Sequence, residues 1–373
     1  MKIVIDDKIP YIKNIFEPYA KVLYIKDEKI DRKEVKDADL IIIRTRTLCD
    51  HKLLSQSKVK MVATATIGTD HIDTEWLAQK GIKWTNAPGC NSGSVMQYIS
   101  STLALLIKQG VDPEKTTVGI VGVGNVGSKV EKIAKLMGFK ILLNDPPRER
   151  KEGKTGFYDY KRVMQESDII TFHTPLIKSG ADKTHHLFNN DSLNYIKKGA
   201  VIINSARGEI TETNALIKGV DNKIISKLAI DVWENEPTIS KELFKRVWIG
   251  TPHIAGYSAD GKANATKIVV NRAAHFFNLP LKEWSPDKIP VPKKNTIELN
   301  RNASTTMQLC NSILKTYNVT DDYNRLKLNI NDFEKLRGDY PLRREFNAWN
   351  IKMNKKITVE ESSVLSKAGF QIQ

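Results

Sequence analysis

The sequence predicts an α/β protein with two open parallel sheets and a small α+β module behind them. Three observations predict it. Short apolar runs alternate with polar, helix-patterned stretches through most of the chain. A glycine-rich turn joins one such run to an amphipathic helix around Gly122. After about Pro280 the texture changes to the Pro- and Lys-rich "LPLKEWSPDKIPVPKKN", and then to a polar tail with scattered Leu, Phe and Trp.

At 373 residues the chain exceeds one ordinary core, so several domains are expected. Apolar residues make up 40% and charged residues 27%, a soluble globular balance. No apolar run approaches the roughly 18–20 residues that span a bilayer. The opening "MKIVIDDKIP" is interrupted by Asp6 and Asp7 and reads as a buried strand, not a signal peptide. Cys49, Cys90 and Cys310 follow no zinc or redox spacing, and a reduced, cytoplasmic setting is expected. The adjacent His185 and His186 have no further ligand spacing, so no metal is expected. The net charge of +15 comes from dispersed lysines without a zinc-finger or RNP-like motif. No nucleic-acid partner and no membrane are expected, and the charge suits steering of phosphorylated or carboxylated substrates.

Taken in order, "KIVID", "KVLYI", "DLIIIR" and "KMVATAT" read as the buried strands of a first sheet. The strongly apolar "QYISSTLALLIKQ" reads as a helix able to bridge two domains. A second series follows: "TVGIVG", "KILLND", "DIITFH", "AVIINS", "SKLAID" and "VWIGT". Residues 93–256 are expected to form the dinucleotide-binding domain. Residues 1–92 with 257–281 should form a discontinuous substrate-binding domain, because the chain must return once the second sheet closes. Residues 282–373 form the third module. Trp76, Trp84, Trp233 and Trp248 lie in apolar-patterned segments and are expected to pack.

"GIVGVGNVGSKV" places Gly122, Gly124 and Gly127, with Asn125 and Val126 between them, after a strand ending at Val121 and at the start of a helix. That order is the Rossmann fingerprint. Gly122 permits the tight turn, Gly124 lets a pyrophosphate approach the backbone, and Gly127 lets helix and strand pack closely. The helix N-terminus offers unpaired N–H groups to the phosphates. The next strand leads to Asp145, 18 residues beyond Gly127, where a carboxylate can bind ribose hydroxyls and repel a 2′-phosphate. NAD is therefore preferred to NADP, although Arg148 and Arg150 lie close by.

Three further pieces fall at strand ends, where open α/β sheets bind ligands. They are Arg207 in "INSARGEI", Asp231 with Glu236 in "AIDVWENEP", and His253 in "TPHIAGYS". Oxidation of a hydroxyl needs a group to take its proton, and histidine suits that task. A Glu236 carboxylate beside it would favour the imidazolium and fix its tautomer. Arg207 can grip a carboxylate bidentately and polarise the neighbouring carbonyl. Singly, these residues could equally be a turn cap, a solvated carboxylate and a surface ion pair. His71 reads as a turn stabiliser, and His173 as either a shaper of the cofactor pocket or a structural residue.

"GIVGVGNVG", "INSARG", "DVWENEP" and "PHIAGY" together resemble the D-2-hydroxyacid dehydrogenase superfamily. "TATIGTDHID", "NAPGCNS", "NDPPR", "TFHTPL", "HIAGYSADGKANAT" and "FEKLRGDYPLRREF" narrow the resemblance to the erythronate-4-phosphate dehydrogenase family of vitamin B6 biosynthesis. The resemblance implies a flavodoxin-like substrate domain, a Rossmann-like NAD-binding domain and a C-terminal dimerisation domain, hence a homodimer. It implies NAD-linked oxidation of 4-phospho-D-erythronate, with His253 as proton donor and acceptor and Glu236 and Arg207 as its partners. Asp145, Thr174, Asp231 and Gly256 would contact NAD, and Thr45, Thr66 and Tyr257 the substrate; Thr45 stands where the family carries serine. Arg44 and Arg46 flank Thr45 and could supply positive charge. Arg343 or Arg344 could bind the substrate phosphate of a partner subunit, or form ion pairs within the third module. The alternatives are a glycerate- or phosphoglycerate-type dehydrogenase, or an NAD-sensing corepressor that has lost turnover.

Overall fold

A computed structural model of the chain describes residues 1–153, 155–299, 302–352 and 358–373. Its contacts divide it into two compact units, Met1–Asn91 with Ser258–Pro290, and Ser92–Tyr257 with Val291–Gln373.

The first unit carries β1 (Lys2–Asp6), β2 (Lys21–Ile25), β3 (Leu40–Ile43), β4 (Met61–Thr64) and β5 (Lys83–Thr85). They form one parallel sheet in the order β2-β1-β3-β4-β5. Strands β3 and β4 are buried along their whole length, as the continuous apolar runs of a sheet covered on both faces require. The helix Ala259–Phe277 returns to this unit and buries Ala265, Val269, Val270 and Ala273 in its core. Ser258 caps that helix by accepting the Gly261 N–H, and Asn278 ends it in the left-handed conformation. Strand β5 carries no run long enough to be read from the sequence. As the edge strand it leaves Lys83 and Trp84 exposed, so Trp84, expected to pack, is 39% exposed.

The second unit holds β6 (Thr117–Val121), β7 (Lys140–Asn144), β8 (Ile169–Phe172), β9 (Ala200–Asn204), β10 (Ile225–Ile230) and β11 (Ile249–Gly250). All are parallel, in the order β11-β10-β9-β8-β6-β7. The chain reverses its direction of winding between β6 and β8, which opens a crevice at their carboxyl ends. The helix Ser92–Lys108 is buried almost all round, as a helix apolar on every face must be. Its Leu103 and Ile107 share one core with Ile133 of the glycine-motif helix and with Leu309, Ile313, Phe346 and Leu365 from the C-terminal stretch. That stretch also forms a small parallel sheet of β12 (Thr296–Glu298), β13 (Asn350–Lys352) and β14 (Gln371–Ile372). Each fully buried Leu, Ile or Phe contributes about 1.5–3 kcal/mol, so this shared core ties the C-terminal stretch to the sheet. Among the described residues no helix is long and apolar enough to cross a membrane.

Candidate active site

The glycine loop leaves β6 with Gly122 at φ +87°, a conformation that side chains rarely adopt. A Cβ there would also lie 2.8 Å from the His173 carbonyl carbon at the exit of β8. A Cβ on Gly127 would lie 2.1 Å from the Gly122 carbonyl oxygen, whereas nothing approaches within 4 Å of one on Gly124. Two glycines are thus required by close packing and one borders open space. Gly124 and Asn125 are exposed, and Val126 is half-buried at the mouth of the helix Gly127–Leu136.

Asp145 stands at the exit of β7. One of its oxygens accepts the Val123 N–H at 2.7 Å, and the other accepts the Arg148 N–H at 3.0 Å and caps the helix Pro146–Glu152. Arg148 is held by Glu152 through two hydrogen bonds of 2.8 and 2.6 Å, and by the Val123 carbonyl at 2.7 Å. Arg150 pairs with Asp182 at 2.6 Å. Both arginines close to the motif are therefore committed, which removes the competing case for a 2′-phosphate.

The crevice keeps two hydroxyls in reserve. Thr174 Oγ1 and Ser205 Oγ, at the exits of β8 and β9, are buried and have no hydrogen-bond partner. Buried polar groups are normally satisfied, so orphaned hydroxyls beside an open glycine loop fit a polar ligand such as a dinucleotide. Sequence reasoning named Thr174 but passed over Ser205, whose position in "INSARG" was the available signal.

His253 follows β11 with φ +54°, a conformation uncommon outside glycine. Its Nδ1 donates to Glu236 Oε2 at 2.6 Å, and Glu236 Oε1 accepts the Trp233 N–H at 2.8 Å. The carboxylate on Nδ1 fixes the tautomer, leaving Nε2 as the atom that can exchange a proton. Asp231, expected to contact the dinucleotide, is fully buried. Its carboxylate accepts from Thr251 Oγ1 at 2.6 Å, Ile254 N–H at 2.8 Å and Ala255 N–H at 2.9 Å. Burial pushes the Asp231 carboxyl above its usual range, against the pull of His253 and of these donors. What the geometry gives Asp231 is the anchoring of the loop that bears the histidine. Gly256 and Tyr257 follow directly and are half-buried.

Arg207 lies past β9, the strand beside β10, and its Nη1 donates to the Ala206 carbonyl at 2.8 Å. Arg207, the Asp231–Glu236 turn and His253 thus leave three successive strands at the same end of one sheet. Gly208 is required there, since a Cβ would lie 2.1 Å from the Trp233 carbonyl carbon.

In the first unit, Thr45 is exposed after β3, and Thr66 Oγ1 lies 2.7 Å from Thr64 Oγ1 and donates to the Gly68 carbonyl at 2.9 Å. The free positive charge expected of Arg44 and Arg46 is not there. Arg44 is ion-paired with the buried Asp6, and Arg46 with Glu28. Arg343 and Arg344, read either as ligands for a partner's substrate phosphate or as ion-pair formers within the third module, are both buried within their own unit. Arg343 donates to backbone carbonyls instead.

His71, His173, His185 and His186 make local contacts. His71 Nε2 lies 3.1 Å from Thr64 Oγ1, and His173 Nε2 lies 3.0 Å from Thr171 Oγ1. Desolvation pushes His173 down to about 3. His185 stacks on His186, which bonds Glu234 at 2.7 Å. No cluster of metal-ligating side chains occurs among the described residues. Trp233 is buried and donates to the Thr251 carbonyl at 2.9 Å.

A strand, a glycine turn and a helix on one side of the crevice, with a paired histidine on the other, describe a dinucleotide-dependent dehydrogenase. Residues 104–255 match the NAD-binding domain of D-isomer specific 2-hydroxyacid dehydrogenases, and residues 289–369 match a domain of unknown function, DUF3410. The fold is shared with D-lactate dehydrogenase from Aquifex aeolicus, solved with NAD and lactic acid. That likeness has a TM-score of 0.60 and 24% identity over 76% of this chain and 97% of the other. It is shared also with NAD-dependent formate dehydrogenase from Staphylococcus aureus, at TM-score 0.58 and 23% identity over 79% of this chain and 100% of the other. The sequence is 51% identical to erythronate-4-phosphate dehydrogenase of Bacteroides thetaiotaomicron over 94% of this chain and 99% of the relative. It is 36% identical to the Proteus mirabilis enzyme of the same name over 99% of each. The chain belongs to the erythronate-4-phosphate dehydrogenase family.

Proposed function

We propose that the chain oxidises 4-phospho-D-erythronate to (R)-3-hydroxy-2-oxo-4-phosphooxybutanoate with NAD, in the biosynthesis of pyridoxine and pyridoxal phosphate. The observation that carries the reading is the 2.6 Å hydrogen bond from His253 Nδ1 to Glu236, at the ligand-binding end of a dinucleotide sheet. When bound, NAD accepts the hydride that leaves the hydroxyl-bearing carbon. His253 Nε2 takes the hydroxyl proton, and Glu236 balances the charge that the ring then carries. Arg207 grips the substrate carboxylate and polarises the carbonyl as it forms. Thr45, Thr66 and Tyr257 contact the substrate.

Gly122, Gly124, Asn125, Val126 and Gly127 cradle the pyrophosphate, and Asp145 takes the ribose. Thr174, Arg207 and Gly256 complete the NAD site, with Asp231 acting through the loop it anchors. Residues 1–92 with 257–281 serve the substrate, and the C-terminal module joins two copies into a homodimer in the cytoplasm.

The test is NADH formation with a panel of phosphorylated and unphosphorylated C3 and C4 hydroxy acids. 4-Phosphoerythronate is expected to give the highest kcat/KM. Preference for glycerate or 3-phosphoglycerate would reassign the substrate, and NADH binding without turnover on any of them would point to a corepressor.

A further inference from the structure

We propose that Arg343 is a positioning residue for the acid–base histidine, supplied by the C-terminal stretch of the same chain. The proposal rests on His253 being that acid–base group. Arg343 is only 5% exposed. Its Nη2 donates to the Ala255 carbonyl and, at 2.9 Å, to the Ser94 carbonyl, while Nη1 reaches the Ile254 carbonyl at 3.4 Å. Its guanidinium lies 4.3 Å from the ring centroid of Tyr317 and 6.0 Å from that of Tyr340. Among the described residues it makes no ion pair with a carboxylate. Asp322, close by, is engaged by the Tyr317 and Tyr340 hydroxyls and by Arg325.

Burying a guanidinium without a directly paired carboxylate, with only carbonyls, tyrosines and the nearby charge of Asp322 around it, is costly, and an apolar side chain of similar volume would fill the space at lower cost. What the charge adds is direction. The peptide N–H groups of Ile254 and Ala255 already point at the buried Asp231 carboxylate. Their carbonyls point at Arg343. The two residues after His253 are thus held on their donor side by an anion and on their acceptor side by a cation, both out of water, where such contacts are strong. The left-handed backbone at His253 persists only where its surroundings over-determine it.

The cation is itself anchored. Glu345 accepts the Ser94 hydroxyl at 2.8 Å, and Gln97 donates to the Arg344 carbonyl at 2.9 Å. A Cβ on Gly93 would lie 2.0 Å from the Glu345 carboxylate, so residues 343–345 sit in a notch cut for them in the first turns of the helix Ser92–Lys108. Arg343 touches neither reacting group in this arrangement; it sets the backbone from which His253 projects.

The test compares the full-length enzyme with Arg343→Met and Arg343→Lys. It measures NADH affinity, kcat, KM, the pH profile of kcat/KM, and the isotope effect with 4-phosphoerythronate deuterated at the hydroxyl-bearing carbon. A misplacement on the order of 1 Å in a reacting group lowers rate by about 10²-fold. Arg343→Met is expected to lower kcat by roughly 10- to 100-fold on that scale, to raise the isotope effect, and to move the acid limb of the pH profile, with NADH affinity kept. Arg343→Lys is expected to recover part of kcat. A folded Arg343→Met with unchanged isotope effect and pH profile overturns the proposal, as does a parallel loss of NADH affinity and turnover that tracks loss of fold. If Arg343→Met does not fold, Tyr317→Leu, which removes the ring beneath the guanidinium, decides the matter. Slower chemistry with NADH affinity retained supports the proposal, and wild-type chemistry overturns it. Activity of the unaltered chain, and its loss in His253→Asn, test the underlying reading separately.

Discussion

At the exit of β6 the chain turns through glycines, and what it offers a ligand is bare backbone beside open space at Gly124. At the exit of β11 it turns through a histidine at φ +54°, whose following peptides are gripped by Asp231 and Arg343. The first exit takes its shape from the glycines of one short stretch, with Asp145 and Arg148 bonded to the backbone of Val123. The second draws on residues 231 and 236 of the preceding strand exit and on residue 343, ninety positions beyond the histidine. The difference fits the tasks proposed for the two exits. A pyrophosphate needs N–H groups and room, which a local backbone conformation supplies. An acid–base group must be aimed within a fraction of an ångström, and that takes contacts from several directions.

The largest effect expected at either exit is at His253. His253→Asn keeps a residue tolerant of the left-handed backbone and removes the proton acceptor, so kcat should fall by about 10²–10⁴-fold while NADH affinity is retained. Equilibrium binding and single-turnover rates check it, and a deficit under about threefold with chemistry rate-limiting would refute the role. Asp231→Ala comes next. It leaves Thr251 Oγ1 and the Ile254 and Ala255 N–H groups without their acceptor. Each loss is worth about 1–3 kcal/mol, so denaturant unfolding should show a large destabilisation and turnover should fall with it.

At the glycine exit, Gly127→Ala places a methyl against the Gly122 carbonyl, and overpacking of this kind costs about 1–3 kcal/mol. NADH affinity should drop, while the His253–Glu236 pair, on other strands, should keep its pH dependence in whatever activity remains. A variant that lost the acid limb instead would show that the two exits are not independent.

The smallest effect concerns His173, whose backbone carbonyl borders the glycine turn at Gly122. Its folded-state value of about 3 lies below the roughly 6.5 of an unfolded histidine. Between those limits the unfolded chain binds a proton that the folded chain does not, so its influence favours folding less as pH falls. The slope is at most about 1.4 kcal/mol per pH unit. Thermal unfolding at pH 7.5 and 5.5 should show a smaller acid loss in His173→Gln than in the parent. Equal losses would mean that the ring is not desolvated as the structure has it.

Much of the frame was legible because it is written in local patterns. Strands β1 to β4 and β6 to β11 each coincide with a quoted apolar run. Central strands such as β3, β4 and β9 are buried on both faces and so apolar throughout, while the edge strands β2 and β7 are only half-buried. Edge strand β5 escaped because two of its three residues face outward. Among site residues, Glu236 and His253 were paired from their types and positions and do meet. Charge was judged less well. Arg44 and Arg46 were read as charges that could serve a substrate, and Arg343 or Arg344 as a phosphate ligand or an ion-pair former. Arg44 and Arg46 are ion-paired with Asp6 and Glu28, and Arg343 is buried against carbonyls. A sequence reports that a charge exists; its partner is set by residues that need not be near in the chain.

From sequence alone come the two parallel sheets, the glycine turn, the carboxylate after β7 and the histidine–glutamate pair, because periodicity, turn chemistry and residue type are local properties of a chain. Only the folded structure decided that Asp231 holds a loop, that Ser205 and Thr174 keep unpaired hydroxyls, and that an arginine some ninety positions beyond the histidine braces its backbone. Those are matters of burial and of which donor meets which acceptor, and they exist only once distant segments pack together.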